Sequence, residues 1–277
     1  MSFIAIIGAG PIGGSLAHKL ALRSKVGQVR LIDSAGAVAH GKALDIMQSS
    51  PIESFSARVT AADSINAAAG ADAIVLADHA SGQGEHNGEA GLALVRHLAA
   101  FEMKAPVVCA GATQRDLMMK VTGELRFPAA RIIGSAPFAL ESALRAFAGL
   151  MIDGSGVEVS LRVVGVPPRA AVVAWEEATA HGQPLSGELA AHHIAALSAR
   201  IPGLWPPGPY ALASAAARTV EAIANSSRRR FSCFVAIRPG TVTSMPVELG
   251  TGGVLRVLEP VLTPQEKTGM DNAIADR

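Results

Sequence analysis

A five-residue apolar run, Phe3 to Ile7, opens directly onto Gly8-Ala9-Gly10-Pro11-Ile12-Gly13, and this junction constrains the fold more tightly than any other stretch of the chain. A buried strand that turns at once into a helix uses glycine at three places: in the tight turn, where backbone approaches a pyrophosphate, and where helix and strand pack closely. Gly8, Gly10 and Gly13 occupy those places, with Pro11 and Ile12 between the last two. The helix N-terminus then presents free N–H groups and its positive dipole end to phosphate. Asp33 closes a second apolar run, Val29 to Ile32, 20 residues past Gly13. A carboxylate there accepts from the ribose hydroxyls of adenosine and repels a 2′-phosphate. Gly8, Gly10, Pro11, Ile12, Gly13 and Asp33 therefore predict a site for NAD rather than NADP.

Further apolar runs continue the pattern at Ala73 to Leu76, Val107 to Ala110 and Arg131 to Ile133. Their hydrophobicity is continuous rather than alternating, the mark of strands buried on both faces. Helix-length segments separate them: Gly13 to Arg23, Gly41 to Gln48, Gly91 to Glu102 and Leu117 to Glu124. The expected fold class is α/β, with an N-terminal doubly wound parallel sheet over residues 1–139. Residues 140–277 read as a mixed α+β domain. Helix Glu141 to Leu150 leads into strands Val157 to Val166 and Ala170 to Trp175, then helical stretches Ser186 to Ser198 and Tyr210 to Ala224. Strands Phe231 to Ile237, Thr241 to Leu249 and Val254 to Leu258 follow, broken by Pro239, Pro246 and Gly250. Thr263-Pro264-Gln265-Glu266 predicts a capped final helix.

Composition removes several functions. Lys plus Arg number 24 against 23 Asp plus Glu, too balanced to gather polyanions, so nucleic acid is not an expected partner. No apolar stretch of membrane-spanning length escapes interruption, and no basic segment precedes the first apolar run as in a signal peptide. Cys109 and Cys233 have no paired spacing and read as reduced core thiols of a cytoplasmic protein.

Beyond the glycine turn, the stretches Ile6 to Ala17, Val29 to Ile46, Arg131 to Phe147 and Met245 to Glu266 follow one another as in the lactate/malate dehydrogenase family, which this sequence resembles nearly end to end. Gly41-Lys42-Ala43-Leu44-Asp45 is the most specific of these matches. The resemblance implies an NAD-binding domain, a substrate domain of the same family type, homo-oligomers, and hydride transfer between nicotinamide and a 2-hydroxy acid. That chemistry needs a base for the hydroxyl proton, cations for the substrate carboxylate and a donor that polarises the carbonyl.

Those residues are missing at the matching positions. Where the family has its catalytic histidine, in a Gly-Glu-His-Gly-Asp motif, this chain has Gly165-Val166-Pro167-Pro168-Arg169, with Pro167 at the histidine. The acid that orients that histidine corresponds to Glu141, and the substrate-binding arginine to Leu144. The family's arginine-bearing mobile loop becomes the arginine-free stretch from Asp78 to Glu89, and its Asn-Pro pair falls at Cys109-Ala110-Gly111-Ala112. The expected function is a degenerate NAD-binding family member, inactive on malate or lactate. The alternative is an active NAD-dependent oxidoreductase with a remodelled pocket and another alcohol or carbonyl substrate.

Under that alternative His79, His86 and Glu141 are the candidates for proton transfer. His79 and His86 share their loop with Asp78 and Glu85, although loop histidines are more often simply solvated, and no metal site is assigned. His192 and His193, adjacent on a helix, read as surface or interface residues, and Arg228 to Arg230 as a solvated turn. Tyr210 falls where the family has a small hydroxyl residue and is expected to fill pocket space. The helices Gly41 to Gln48 and Tyr210 to Ala224 carry alanine-rich faces suited to packing between subunits.

Overall fold

The computed structural model describes residues 2–100 and 104–275. In the first half, strands β1 (Phe3–Ile7), β2 (Gln28–Ile32), β3 (Arg58–Ala62), β4 (Ala73–Leu76), β5 (Val107–Cys109) and β6 (Ile132–Gly134) alternate with helices α1 (Pro11–Leu22), α2 (Gly36–Glu53), α3 (Gly88–Ala100) and α4 (Arg115–Gly123). Helix α5 (Ala136–Met151) then leads to β7 (Val159–Ser160), β8 (Val163–Val166), β9 (Ala170–Val173), β10 (Thr179–Ala180) and β11 (Gln183–Pro184). Helices α6 (Leu185–Glu188), α7 (Ala191–Arg200) and α8 (Pro209–Ala224), strands β12 (Arg230–Arg238), β13 (Thr241–Gly250) and β14 (Gly253–Val257), and helix α9 (Pro264–Ala275) complete the chain.

The first six strands are parallel in the order β3-β2-β1-β4-β5-β6, the doubly wound arrangement. Order reverses between β1 and β4, where ligands of such sheets bind beyond the carboxyl ends of the strands. Register brings those ends level, Ile7 pairing with both Ile32 and Leu76. The sheet does not stop at β6: β12 joins it antiparallel through Phe234 and Gly134, and β13, β8 and β9 follow. One hydrophobic core accordingly runs from Ile4, Ile74 and Ile133 to Phe234 and Val247, while a smaller one gathers Leu140, Leu144, Leu161 and Leu197. Cys109 and Cys233 are free and buried, and burial pushes the Cys109 thiol up to about 12. Among the described residues no helix is long and apolar enough to cross a membrane.

Several local expectations shift. Strand β3 has no counterpart in the apolar runs because it lies at the sheet edge and pairs only with β2, so only Val59 is fully buried. Pro246 does not break its strand: it sits inside β13 opposite Ser232, and its carbonyl accepts from the Leu258 N–H at 2.8 Å. Proline removes one donor there, and the long ladder to β12 carries the pairing. The stretch Ser186 to Ser198 splits into α6 and α7 at Leu189, whose backbone is extended. Helix α2 continues past Gln48 with Pro51 inside it, and the anticipated end of α3 at Glu102 lies outside the described residues. The expected cap forms: Thr263 Oγ1 accepts from the Glu266 N–H at 3.3 Å, and Glu266 Oε2 from the Thr263 N–H at 2.7 Å.

The approach of α1 to β1 tolerates no side chain, since a Cβ on Gly13 would lie 2.0 Å from the Gly8 carbonyl oxygen, a backbone atom with nowhere to go. Gly13→Ala should therefore destabilise the fold by about 2–4 kcal/mol, the scale of an overpacked core. Urea denaturation measures it, and a midpoint matching wild type would contradict the tight packing.

Candidate functional site

Helix α1 begins without help from its own sequence. Its N-cap is Gly10, no side chain caps it, and its first turn contains no acid. Free N–H groups at a helix start need an acceptor, and the acceptor arrives from β4: Asp78 Oδ1 takes the Ile12 and Gly13 N–H groups, both at 3.0 Å, and Oδ2 lies 3.1 Å from the Ile12 nitrogen. The Gly10 N–H donates to the Asp78 carbonyl at 2.8 Å. A Cβ on Gly10 would lie 2.5 Å from Asp78 Cγ, so the glycine leaves room for this carboxylate. Lys42 on α2 clamps the turn from behind, its Nζ donating to the carbonyls of Ala9 at 2.6 Å and Gly10 at 3.2 Å.

Asp33, at the end of β2, is buried and bonded through both oxygens. Its Oδ2 accepts from the N–H groups of Ala9 (2.8 Å) and Ala80 (2.9 Å), and its Oδ1 from that of Ala35 (2.9 Å). Burial alone would raise its pKa, but these donors and nearby His79 outweigh it and hold the carboxyl below its usual range. Gly8, Gly10, Pro11, Ile12, Gly13 and Asp33 thus come together in one cradle. The cradle fits a dinucleotide diphosphate on a direct observation: its N–H groups already converge on an anion, the Asp78 carboxylate.

The loop after β4 folds across this cradle. Asp78 and Glu85 pair as an antiparallel bridge, the His79 N–H donates to the Gly84 carbonyl at 2.8 Å, and the His86 N–H to Ala77 at 3.2 Å. Glu85 reaches the turn before α4, where its carboxylate accepts from the N–H groups of Ala112 (2.8 Å) and Thr113 (2.7 Å) and from the Thr113 hydroxyl (2.6 Å). Gln114 ties the two segments together, accepting from the Gly111 N–H at 2.8 Å and donating to the His86 carbonyl at 3.0 Å. The rings of His79 and His86 lie 3.8 Å apart, centroid to centroid. Burial, then His79, lowers the pKa of His86 to about 4 against the opposing pull of Asp33, and its Nε2 is buried without a hydrogen-bond partner.

Glu141 does not join the histidines. It is 1% exposed on α5, where Arg162 lies 3.2 Å from Oε1, Arg145 lies 3.9 Å away, and the Ser232 hydroxyl donates to Oε2 at 2.7 Å. Burial raises its pKa, and these three partners oppose the rise. Arg145 is spent elsewhere as well, donating to the Val159 carbonyl at 2.6 Å, and Leu144 is fully buried in the smaller core. Among the described residues no group of three or more His, Cys, Asp or Glu side chains is placed to hold a metal ion. His192 and His193 lie with ring centroids 4.0 Å apart, Arg230 pairs with Glu248 at 3.4 Å, and Tyr210, 76% exposed, lines a surface cavity together with Pro11, His18 and Asp45. Sequence reasoning missed the capping roles of Asp78 and Glu85. The available signal was a helix start lacking both cap and acid, facing acids just beyond the end of β4.

Comparison with known proteins places this geometry in context. Residues 3–116 match the model of the lactate/malate dehydrogenase NAD-binding domain. The chain is 28% identical over 293 residues to a malate dehydrogenase of Thermomicrobium roseum, covering 96% of this chain and 93% of the relative. It is 27% identical to one of Chloroherpeton thalassium, with 96% and 93% covered. Among solved structures, the fold resembles a minor L-lactate dehydrogenase of Enterococcus mundtii (TM-score 0.88, 19% identity, 99% of this chain and 96% of that one). It also resembles a malate dehydrogenase of Salinibacter ruber (TM-score 0.83, 24% identity, 99% and 94%).

The buried imidazole has a measurable consequence. His86 is neutral in the fold down to about pH 4, whereas in the unfolded chain a histidine takes its proton near pH 6.5. The unfolded state therefore binds the proton first, and stability should fall as pH drops from about 6.5 to about 4. Urea midpoints at several pH values should decline less for His86→Asn than for wild type over that window; an identical slope would mean that His86 is solvated.

Proposed function

We propose that the chain is an NAD-binding member of the lactate/malate dehydrogenase family that does not turn over lactate or malate, serving instead as a nucleotide sensor or a partner-binding subunit. Residues 1–139 form its nucleotide-binding part and residues 140–277 the counterpart of the family's substrate domain. When bound, NAD supplies a nicotinamide able to exchange hydride. The Ile12 and Gly13 N–H groups would hold its diphosphate and Asp33 its adenosine ribose.

One observation carries the reading: the Glu141 carboxylate, at the position whose acid orients the family's histidine, is neutralised by Arg162 and bonded by Ser232, with no imidazole beside it. Pro167 offers no proton acceptor, and Leu144 no cation for a substrate carboxylate. The alternative of a remodelled active pocket rests on His86, whose buried Nε2 has no hydrogen-bond partner and lies in the loop that crosses the cradle. Its low basicity, near 4, makes it weak at neutral pH. The two free, buried cysteines support a cytoplasmic setting. Exposed apolar side chains on α2, Leu44 at 60% and Ile52 at 85%, support a homo-oligomer.

Loss of a general base costs about 10²–10⁴ in rate, and loss of an electrostatic donor about 10²–10³. NADH oxidation with millimolar oxaloacetate or pyruvate should therefore run at least about a hundredfold below the median enzyme value of about 10 s⁻¹, and Pro167→His alone should not restore it. Ordinary turnover would refute the assignment of lost residues, and turnover on another alcohol in a substrate panel would favour the remodelled pocket. Light scattering at micromolar protein should give a mass of at least two chains; a monomer would exclude the oligomer.

A further inference from the structure

The contacts that make the cradle legible as a nucleotide site also fill it. Three positions where the dinucleotide would dock each hold a group from one short loop. The diphosphate donors Ile12 and Gly13 hold the Asp78 carboxylate, and the ribose acid Asp33 accepts from the Ala80 N–H. The turn before α4, which the resemblance puts at the nicotinamide end, holds the Glu85 carboxylate through Ala112 and Thr113. Two anions cannot share the same pair of N–H donors, and in this buried setting a diphosphate beside the Asp78 carboxylate would meet a like charge. Asp33 already accepts three N–H groups, one of them from Ala80, so a ribose hydroxyl competes with the loop for this carboxylate.

We propose that residues 78–87 are a built-in occupant of the dinucleotide groove, with Asp78 and Glu85 standing where the nucleotide's polar groups dock, so that NAD binds only in exchange for this loop. The proposal rests on the NAD-binding reading above. The loop is held by specific contacts rather than lying loosely over the groove: the Asp78–Glu85 bridge and the His79–Gly84 hydrogen bond set its own shape, and the bond from Gln114 to the His86 carbonyl ties it to the turn before α4. Its tip, residues 81–84, is exposed, and Gly82 and Gly84 adopt positive φ with open space around them, so nothing packs over the loop to prevent its leaving. Apparent affinity for the nucleotide is then the intrinsic affinity reduced by the small fraction of molecules with the loop out.

The test is calorimetric titration of the full chain with NADH, comparing wild type with Asp78→Asn and Glu85→Gln, which keep the shape of each side chain and remove its charge. Each variant should bind NADH at least about tenfold more tightly than wild type. Because Asp78 also caps α1 and its variant risks misfolding, hydrogen exchange on wild type provides a second readout. Saturating NADH should strip protection from the Ala80 amide while the Ile12 amide stays protected. Wild type and both variants binding NADH with equal affinity, or Ala80 keeping its protection in the complex, would overturn the proposal and leave NAD binding intact. Absence of NADH binding in wild type and both variants alike would overturn the NAD reading and the proposal together.

Discussion

Unsatisfied N–H groups at the start of α1 are the constraint from which the site follows. The helix must begin at Gly10 because only a glycine turn lets it leave β1 so abruptly, and that turn leaves no residue able to cap it from within. The positive end of the helix is thus aimed at the crevice where the order of strands reverses, and something negative must meet it. Lys42 strengthens this arrangement by pinning the carbonyls of Ala9 and Gly10, which fixes the turn that presents the N–H groups of Ile12 and Gly13.

Around Glu141 and Leu144 the chain is closed by ion pairs and packing. A buried carboxylate is costly unless neutralised, so Glu141 requires partners. Arg162 and Ser232 are those partners, and Ser232 passes the connection on by accepting from the Val163 N–H at 2.9 Å. Leu144, three residues further along α5, is packed among leucines. The region reads as a settled core in which the acid ties α5 to β8 and β12.

The sequence made legible whatever depends on neighbouring residues: the β1–α1 turn, the two-sided burial of the parallel strands, Asp33 at the end of β2, and the capping box at Thr263. It concealed whatever depends on contacts across the fold. Asp78 meets Ile12 from 66 positions away, and Glu85 meets Ala112 from 27, neither at a spacing that helix or strand periodicity would reveal. Strand β3 escaped because an edge strand can afford polar residues, and Pro246 misled because its neighbours on β12 were not yet in view. The close rings of His192 and His193 show that adjacent helical residues, though unable to aim at one site, can still turn their rings toward each other.

The junction between β6 and β12 bears on how the molecule can be cut. Phe234 beside Gly134 carries one sheet from the nucleotide-binding strands into the remainder of the chain, and Phe231, Phe234 and Val247 share a core with Ile4 and Val108. A break near residue 139 would divide the sequence but not a boundary in the sheet. It would strip β6 of its outer neighbour and leave an unpaired, apolar strand edge open to other chains. The two halves are therefore joined by one sheet and one core.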